Sequence, residues 1–150
     1  GYHSMTPTLS MQNAAKAIEF YKNVFGATEI MRFETGDGKI GHCELIIGDS
    51  KLMLSDVFGS TTSGQYDPFT FGIHLYVDNV DAVCDKAVTA GAKILRPVDT
   101  KFYGDRSCDI QVPFGHTWHL STHVEDVSLE ELKKRAEQQG ARLKHLVIPK

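Results

Sequence analysis

The sequence contains the same succession of segments twice. Two helical stretches, NAAKAIEFYKNVFGA (13–27) and NVDAVCDKAVTAGA (79–92), begin with a capping Asn, carry an apolar face and end near a glycine. Each is preceded by one short extended run and followed by another. The stretches CELIIGDSKLMLS and CDIQVPFGHTWHLS then both open with Cys-acid-aliphatic and close with Leu-Ser. This repetition predicts a duplicated βαβββ unit over residues 6–56 and 71–123.

The length of the chain and its helix-capping signals predict one α+β domain. At 150 residues the chain can bury a hydrophobic core of its own. We expect the domain to span residues 5–140 and to include a third helix at 128–139, which begins with the capping box SLEE. Residues 1–4 precede Met5 and are interpreted as an added leader. Residues 141–150 are interpreted as a tail.

Charge and cysteine content argue against several classes of protein. The formal net charge is -3 without a clustered basic segment, which argues against nucleic acid as a partner. No apolar run approaches the roughly 18 residues of a membrane span. Cys43, Cys84 and Cys108 are an odd number of thiols without a CxxC spacing, so we expect them to be buried and reduced. These features favour a cytoplasmic protein.

Alternation of side chains sorts the predicted strands into two faces. The apolar face, which we expect to lie against the helices, comprises Pro7, Leu9, Met11, Cys43, Leu45, Ile47, Leu52, Leu54, Ile73, Leu75, Val77, Cys108, Ile110, Val112, Trp118 and Leu120. The opposite, mostly polar face comprises Thr6, Thr8, Ser10, His42, Glu44, Ile46, Met53, Ser55, His74, Tyr76, Ser107, Asp109, Gln111, Thr117, His119 and Ser121. Two polar faces, one from each module, are therefore available for function.

Three histidines close in sequence, His116, His119 and His123, raise the question of a metal cluster. On a helix, their spacing would bring all three to one side. The run HTWHLST alternates as a strand, however, with Trp118 and Leu120 directed inward. His119 and His123 then share the polar face, whereas His116 lies at the preceding turn. We therefore do not expect the three histidines to form one zinc site.

The polar face also carries side chains with chemistry of their own. These are His42, Glu44, His74 and His119. Such a set can bind a metal, act as a general base, or form hydrogen bonds with a small ligand. The alternative is a solvated sheet face, which many antiparallel sheets have. Because both modules present a polar face, we favour a binding cavity between them.

Three segments resemble a known family. They are AAKAIEFYKNVFGA, DGKIGHCELIIGDSKLMLSD at 37–56 and FYGDRSCDIQVPFGHTWHLSTHVEDVSLEEL at 102–132. Together with the repeated βαβββ order, they are similar to the glyoxalase/bleomycin-resistance/dioxygenase superfamily, also called vicinal oxygen chelate, and within it to the PhnB-like branch. The resemblance implies two pseudo-symmetric modules that form a U-shaped mixed sheet around a cleft. It also implies a homodimer.

The same resemblance bears on metal binding. Metal-using members place ligands on the first and last strands of each module. The matching positions of this sequence are Thr6, Gly72, Met53 and His119. Only His119 is of a metal-ligand type, so the resemblance implies a degenerate site and we assign no cofactor. A divalent metal bound by the four side chains named above stays open as an alternative.

The resemblance leaves two functions open. The first is a small-molecule-binding protein whose polar cleft sequesters a polar or aromatic metabolite. The second is a metal-dependent lyase, isomerase or dioxygenase in which Glu44 acts as the base. The expected ligand-binding residues are His42, His74, Tyr76, Tyr103, Arg106 and His119. Arg106 could clamp an anionic substrate, or it could pair with Asp105 and tie down a loop before the last hairpin.

Overall fold

The computed structural model describes residues 1–57, 68–141 and 143. The first module consists of β1 (Thr8–Met11), α1 (Ala14–Phe25), β2 (Thr28–Glu34), β3 (Ile40–Ile47) and β4 (Ser50–Asp56). The second consists of β5 (Gly72–Tyr76), α2 (Val80–Thr89), β6 (Lys93–Thr100), β7 (Asp105–Gln111) and β8 (Thr117–His123), and α3 (Leu129–Gln138) follows. The βαβββ order therefore occurs twice, and the predicted α+β fold with a C-terminal helix is confirmed.

Each module has its own four-stranded mixed sheet. The strand orders are β1-β4-β3-β2 and β5-β8-β7-β6. In both sheets the first strand pairs parallel with the last, and the other neighbours are antiparallel. Thr8 lies opposite Met53 in the first sheet, and His74 lies opposite His119 in the second. Equivalent positions of the two modules therefore carry different side chains.

The predicted apolar faces of the strands pack into one hydrophobic core that includes both modules. Its strand residues include Leu9, Met11, Cys43, Leu45, Ile47, Leu52, Leu54, Cys108, Ile110, Trp118 and Leu120. The ring centroids of Phe25 and Trp118 lie 4.6 Å apart, and Phe20 meets Phe114 edge-on at 6.0 Å. Helix α1 of the first module therefore packs against the second sheet. The modules are joined through their helix-bearing faces.

The three cysteines are unpaired and buried, as predicted. Burial raises the pKa of Cys43 to about 11, and it raises the pKa of Cys108 far above its ordinary range. A thiol with such a pKa forms little thiolate near neutral pH and is therefore unreactive. These cysteines are part of the packing of the core.

Most helix boundaries follow the local sequence. Asn79 Oδ1 accepts a hydrogen bond from the Ala82 amide at 3.1 Å, and the Ser128 side chain caps α3 in the same manner. Gly26 ends α1 with a φ of 67°, a conformation that glycine adopts at little cost. In the described part of the chain, no helix is long and apolar enough to cross a membrane.

Asn13 occupies the N-cap position of α1, as predicted, but the expectation that its side chain caps the helix is wrong. Asn13 has a left-handed backbone with a φ of 60°, and its side chain makes no capping hydrogen bond. Asp56, at the end of β4, accepts instead from the Ala14 amide at 3.0 Å and from the Ile40 amide at 2.8 Å. The cap thus comes from a strand that is distant in sequence, and no local pattern indicates it.

The loop predicted around residue 105 is shorter than expected. The Gly104 amide donates to the Lys101 carbonyl at 3.2 Å, and the Lys101 amide donates to the Asp105 carbonyl at 2.7 Å. This tight turn ends at Asp105, so Asp105 and Arg106 belong to β7 rather than to a loop. The predicted tail at 141–150 lies almost entirely outside the described residues.

Candidate functional site

Four aromatic rings follow one another across the outward face of the second sheet. In order they are Phe69, His119, His74 and Tyr76, and we call them the ring row. Successive ring centroids lie 6.5, 6.1 and 4.9 Å apart, with interplanar angles of 27°, 41° and 21°. Phe69, His74 and Tyr76 are all exposed. The ring row therefore presents an open aromatic surface that contains two of the predicted histidines.

His119 is positioned by Asp109 and by the absence of a side chain at Gly72. Its Nδ1 lies 2.7 Å from Asp109 Oδ1, and the Asp109 carboxylate is largely buried. A Cβ atom at Gly72 would collide with Nε2 of the His119 ring. The imidazole thus lies over the Gly72 backbone, where only glycine leaves it room. His119 is on the polar face, as alternation predicts.

His74 is joined to two serines beneath the ring row. Its Nε2 lies 2.8 Å from Ser121 Oγ, which in turn lies 2.8 Å from Ser107 Oγ. Ser121 is fully buried. Partial desolvation of its ring lowers the pKa of His74, and the neighbouring His119 lowers it further. His74 is therefore a neutral imidazole near pH 7, suited to stacking and hydrogen bonding.

At one end of the ring row, Tyr76 and His123 share the carboxylate of Asp105. The Tyr76 hydroxyl donates to Oδ2 at 2.9 Å, and His123 Nδ1 lies 2.9 Å from Oδ1. His123 Nε2 also lies 2.6 Å from Asp126 Oδ1. The hydrogen bond to Asp105 raises the pKa of Tyr76, and the bonds to Asp105 and then Asp126 raise the pKa of His123. A buried carboxylate thereby fixes this end of the row.

Arg96 lies at the opposite end of the ring row. Its guanidinium carbon is 4.1 Å from the Phe69 ring centroid, which is a cation–π contact. Its Nη1 is also 3.5 Å from Asp109 Oδ2. The two ends of the row therefore carry different charged groups, a cation beside Phe69 and a carboxylate beside Tyr76.

His42 and Glu44 form a separate pair on the first sheet. His42 Nε2 lies 3.1 Å from Glu44 Oε2. In the part of the chain that the structure describes, no hydrogen bond, ion pair or ring contact joins this pair to the second sheet. The structure therefore brings His74 together with His119, and His42 together with Glu44, but does not unite the two pairs.

Tyr103 and Arg106 occupy different surroundings. Tyr103 is exposed and close enough to Tyr76 to contribute to the raised pKa of that phenol. Arg106 donates to both carboxylate oxygens of Asp81 on α2, at 2.8 and 2.9 Å. Asp105, the partner considered for Arg106 from the sequence, binds Tyr76 instead. Arg106 thus lies on the helix-bearing side of the sheet, while Tyr103 lies near one end of the ring row.

The described residues do not fit a metal centre built from three protein ligands. Among them, no three His, Cys, Asp or Glu side chains converge closely enough to hold an ion. His116 lies in the turn before β8, and His119 and His123 bind different aspartates. These three histidines are separate, as the strand pattern predicts.

Some residues of this face were found only in the structure. Alternation assigns Asp109 to the polar face, but its bond to His119 depends on the register, in which the two residues lie directly opposite each other. The tight turn between β7 and β8 was the available signal for that register. Phe69 and Arg96 were not predicted, because one lies in an irregular segment and the other in a strand with shifted register.

A comparison with known protein families agrees with the two-module architecture. The sequence model described as "Glyoxalase/Bleomycin resistance protein/Dioxygenase superfamily" matches residues 5–120. The chain belongs to this superfamily. Among its relatives, Uncharacterized protein Rv0887c of Mycobacterium tuberculosis (strain ATCC 25618 / H37Rv) is 34% identical over 143 residues, which cover 91% of this chain and 84% of that protein.

Solved structures with the glyoxalase-superfamily fold include several differently named proteins. TioX from Micromonospora sp. ML1 has a TM-score of 0.64 and 26% identity, over 83% of this chain and 100% of that one. A putative 3-demethylubiquinone-9 3-methyltransferase, PhnB protein, from Bacillus cereus has a TM-score of 0.68 and 16% identity, over 80% and 99%. The fosfomycin resistance protein FosX from Listeria monocytogenes has a TM-score of 0.63 and 19% identity, over 87% and 97%. At such low identities, the PhnB protein and FosX support the fold alone.

Proposed function

We propose that this glyoxalase-superfamily chain binds or sequesters a small planar metabolite, polar or aromatic, on the ring row of its second sheet. The observation that supports the proposal is the row itself, in which four rings line one open face at stacking distances. Flat ligands gain favourable contacts from offset or edge-on aromatic neighbours. Neutral His74 can stack against such a ligand without bringing a charge that must be desolvated.

The ring row is held in position before any ligand arrives. Asp109 restrains His119, Ser121 restrains His74, and Asp105 restrains Tyr76. Side chains that are already ordered lose little conformational entropy on binding, which favours affinity. Arg96 at one end, whose side chain is mostly exposed, suits a ligand that carries an acceptor group.

A thermal-shift screen of small aromatic acids and heteroaromatic metabolites tests this proposal, because a ligand that binds the native state raises Tm. Hits would be titrated by calorimetry against wild type, the double variant His74→Ala/His119→Ala, and His42→Ala. We expect the double variant to fold but to bind at least about tenfold more weakly. His42→Ala is the matched control, because it removes an imidazole from the other sheet and should leave affinity unchanged.

Two outcomes would contradict the binding proposal. One is a screen in which no planar compound shifts Tm. The other is a double variant whose folded molecules bind a hit as tightly as wild type. The metal-dependent lyase, isomerase or dioxygenase is the competing function, and elemental analysis of protein purified without chelators distinguishes it. Stoichiometric zinc, nickel, manganese or iron that is lost with His119→Ala would favour that alternative.

We also propose that the chain is a cytoplasmic, PhnB-like member of the superfamily that assembles as a homodimer. Exposed Phe71 directly precedes β5, which is an outer strand of its sheet, and exposed Met5 lines a cavity together with Ile73 and Leu75 of that strand. Exposed apolar side chains at a sheet edge are typical of protein contact surfaces. Light scattering after gel filtration measures the assembly. A monomeric mass at all concentrations would contradict the homodimer without affecting the ring-row proposal.

A further inference from the structure

A buried carboxylate on the first sheet lacks a partner. Glu44 in β3 is only 7% exposed, and its Oε2 lies 3.1 Å from His42 Nε2. Its other oxygen, Oε1, is buried and has no hydrogen-bond partner among the described residues. Buried carboxylate oxygens are normally satisfied, because a desolvated charge without a donor is costly. We propose that Glu44 is the centre of a second binding site, one that takes an organic cation through a primary ammonium group.

Among the described residues, no lysine or arginine pairs with Glu44, whose ion-pair partner is His42. The nearest arginine along the neighbouring strand, Arg32, lies opposite Cys43 in the register and is therefore on the other side of the sheet. Its guanidinium binds Glu29 and Glu34. His42 contributes one donor to one oxygen. The group that would complete the site is thus a positively charged donor aimed at Oε1, which an ammonium N–H provides.

The surroundings of Glu44 suit a cation with an apolar body. Met31 and Met53 lie opposite Glu44 on the two neighbouring strands, and Phe33 lies opposite His42. Phe33 is 62% exposed, so its ring face can attract a cation. Methionine side chains are adaptable and can move aside to admit a ligand to the covered oxygen. The site therefore fits an arylalkyl or alkyl ammonium compound.

This site is independent of the ring row. In the described part of the chain, no hydrogen bond, ion pair or ring contact joins Glu44 or His42 to the second sheet. The two proposals therefore rest on different residues, and failure of one leaves the other standing.

Nuclear magnetic resonance of the full chain with ¹³C-labelled methionine methyl groups tests the inference. The chain has four methionines, of which Met31 and Met53 flank Glu44, whereas Met11 is buried in the core. Benzylammonium is the probe. We expect saturable shifts of the Met31 and Met53 methyl signals with no change at Met11. Absence of a saturable shift, or shifts at Met11 as well, would overturn the proposal.

Matched ligands and variants separate charge and hydrogen bonding from apolar contact. Neutral benzyl alcohol and benzyltrimethylammonium, which has no N–H, should each bind at least about tenfold more weakly than benzylammonium. Glu44→Gln should weaken benzylammonium binding by at least about tenfold with an unchanged Met11 signal, whereas Glu34→Gln, an exposed glutamate of the same sheet, should not. Equal binding of benzylammonium to wild type and Glu44→Gln would show that the carboxylate is not the recognising group.

Discussion

At the scale of single residues, the Asp56 carboxylate connects three elements of the first module through two hydrogen bonds. It is buried, and its two oxygens accept from the first amide of α1 and from the first amide of β3. The end of β4 is thereby tied to the beginnings of two other elements. Both amides therefore share one side chain as their acceptor.

Replacing Asp56 should therefore be costly. Asp56→Ala leaves two buried amides without an acceptor, and we expect the free energy of unfolding to fall by about 3 kcal/mol. Asp56→Asn keeps one acceptor and should lose about half as much. Asp49→Ala is the control, because Asp49 is exposed and its removal should change stability by less than about 0.5 kcal/mol. Urea denaturation measures all three, and an unchanged Asp56→Ala midpoint would contradict the capping role.

Gly72 is the second residue whose replacement is informative. In Gly72→Ala the new Cβ would meet the far end of the His119 ring, which can swing away, so stability should change by less than about 1 kcal/mol. The ring row should nevertheless be disturbed. We expect shifted ¹H–¹³C signals of the His119 imidazole and weaker binding of any planar ligand. In Gly41→Ala, the control, the new methyl group finds ordinary contacts at 3.6 Å. Unaltered His119 signals in Gly72→Ala would show that the glycine is not needed for space.

The sequence predicts the position of a side chain where strand alternation determines its face. It does not predict the position where a partner distant in sequence determines it. Trp118 inward and His119 outward follow from strand parity alone. The Asp56 cap and the Arg106–Asp81 pair join residues 42 and 25 positions apart, and only the folded chain reveals them. The lack of a hydrogen-bond partner at Glu44 Oε1 is likewise a result of packing. The sequence places Glu44 on a polar face but does not indicate that its carboxylate is buried there.

At the scale of elements, the period-two pattern predicted the strand faces well because each sheet has one buried and one open side. Irregularities within strands were not predicted. The register shifts in β2 between Glu29 and Met31, and in β6 between Ile94 and Arg96. A shift of this kind moves all later side chains to a new partner, and it leaves little trace in the sequence. The helices were predicted because apolar spacing and terminal glycines are local signals.

The two helix-capping asparagines provide a matched test at this scale. Asn79→Ala removes an observed capping bond and should lower the free energy of unfolding by about 1 kcal/mol. Asn13→Gly removes no capping bond and relieves a left-handed backbone, so stability should stay unchanged or rise slightly. Thermal unfolding of both variants gives the comparison. Equal losses at the two positions would contradict the different roles that the structure assigns to them.

At the scale of the whole molecule, one core serves both modules. Helix α1 of the first module packs on Trp118 of the second sheet, where Phe25 and Tyr21 contact the indole. Trp118 is the only tryptophan of the sequence and is 1% exposed. Its fluorescence therefore reports on the junction between the modules rather than on either module alone.

A shared core should make unfolding cooperative. We expect tryptophan fluorescence and far-ultraviolet circular dichroism to follow a single coincident transition in denaturant. Phe25→Ala should lower the free energy of unfolding by about 3 kcal/mol, because it removes a contact that both modules share. The midpoints of both signals should therefore fall together. Val88→Ala, at an exposed site on α2, should have little effect. Two separate transitions would indicate modules that fold independently.

The free energy of unfolding should also vary with pH, because the pKa values of three histidines are shifted in the folded protein. His123 has a raised pKa, so its contribution is complete below the ordinary value of 6.5 and is lost as the pH rises through the folded-state value. His74 and His116 have lowered pKa values, so their contribution is present above 6.5 and is lost as the pH falls. His123→Gln should therefore cost more stability near pH 5.5 than near pH 8. Imidazole titrations followed by nuclear magnetic resonance check the three directions, and a His123 pKa below 6.5 would contradict the double aspartate contact.

The union of two modules through their interior has a consequence for how such a chain can change over time. Because no hydrogen bond, ion pair or ring contact joins the His42–Glu44 pair of one sheet to the ring row of the other within the described residues, substitutions at one of these places need no compensation at the other. A duplicated segment of this kind lets evolution alter the recognition chemistry of one half while the other half keeps its own, with the common interior maintaining the fold throughout.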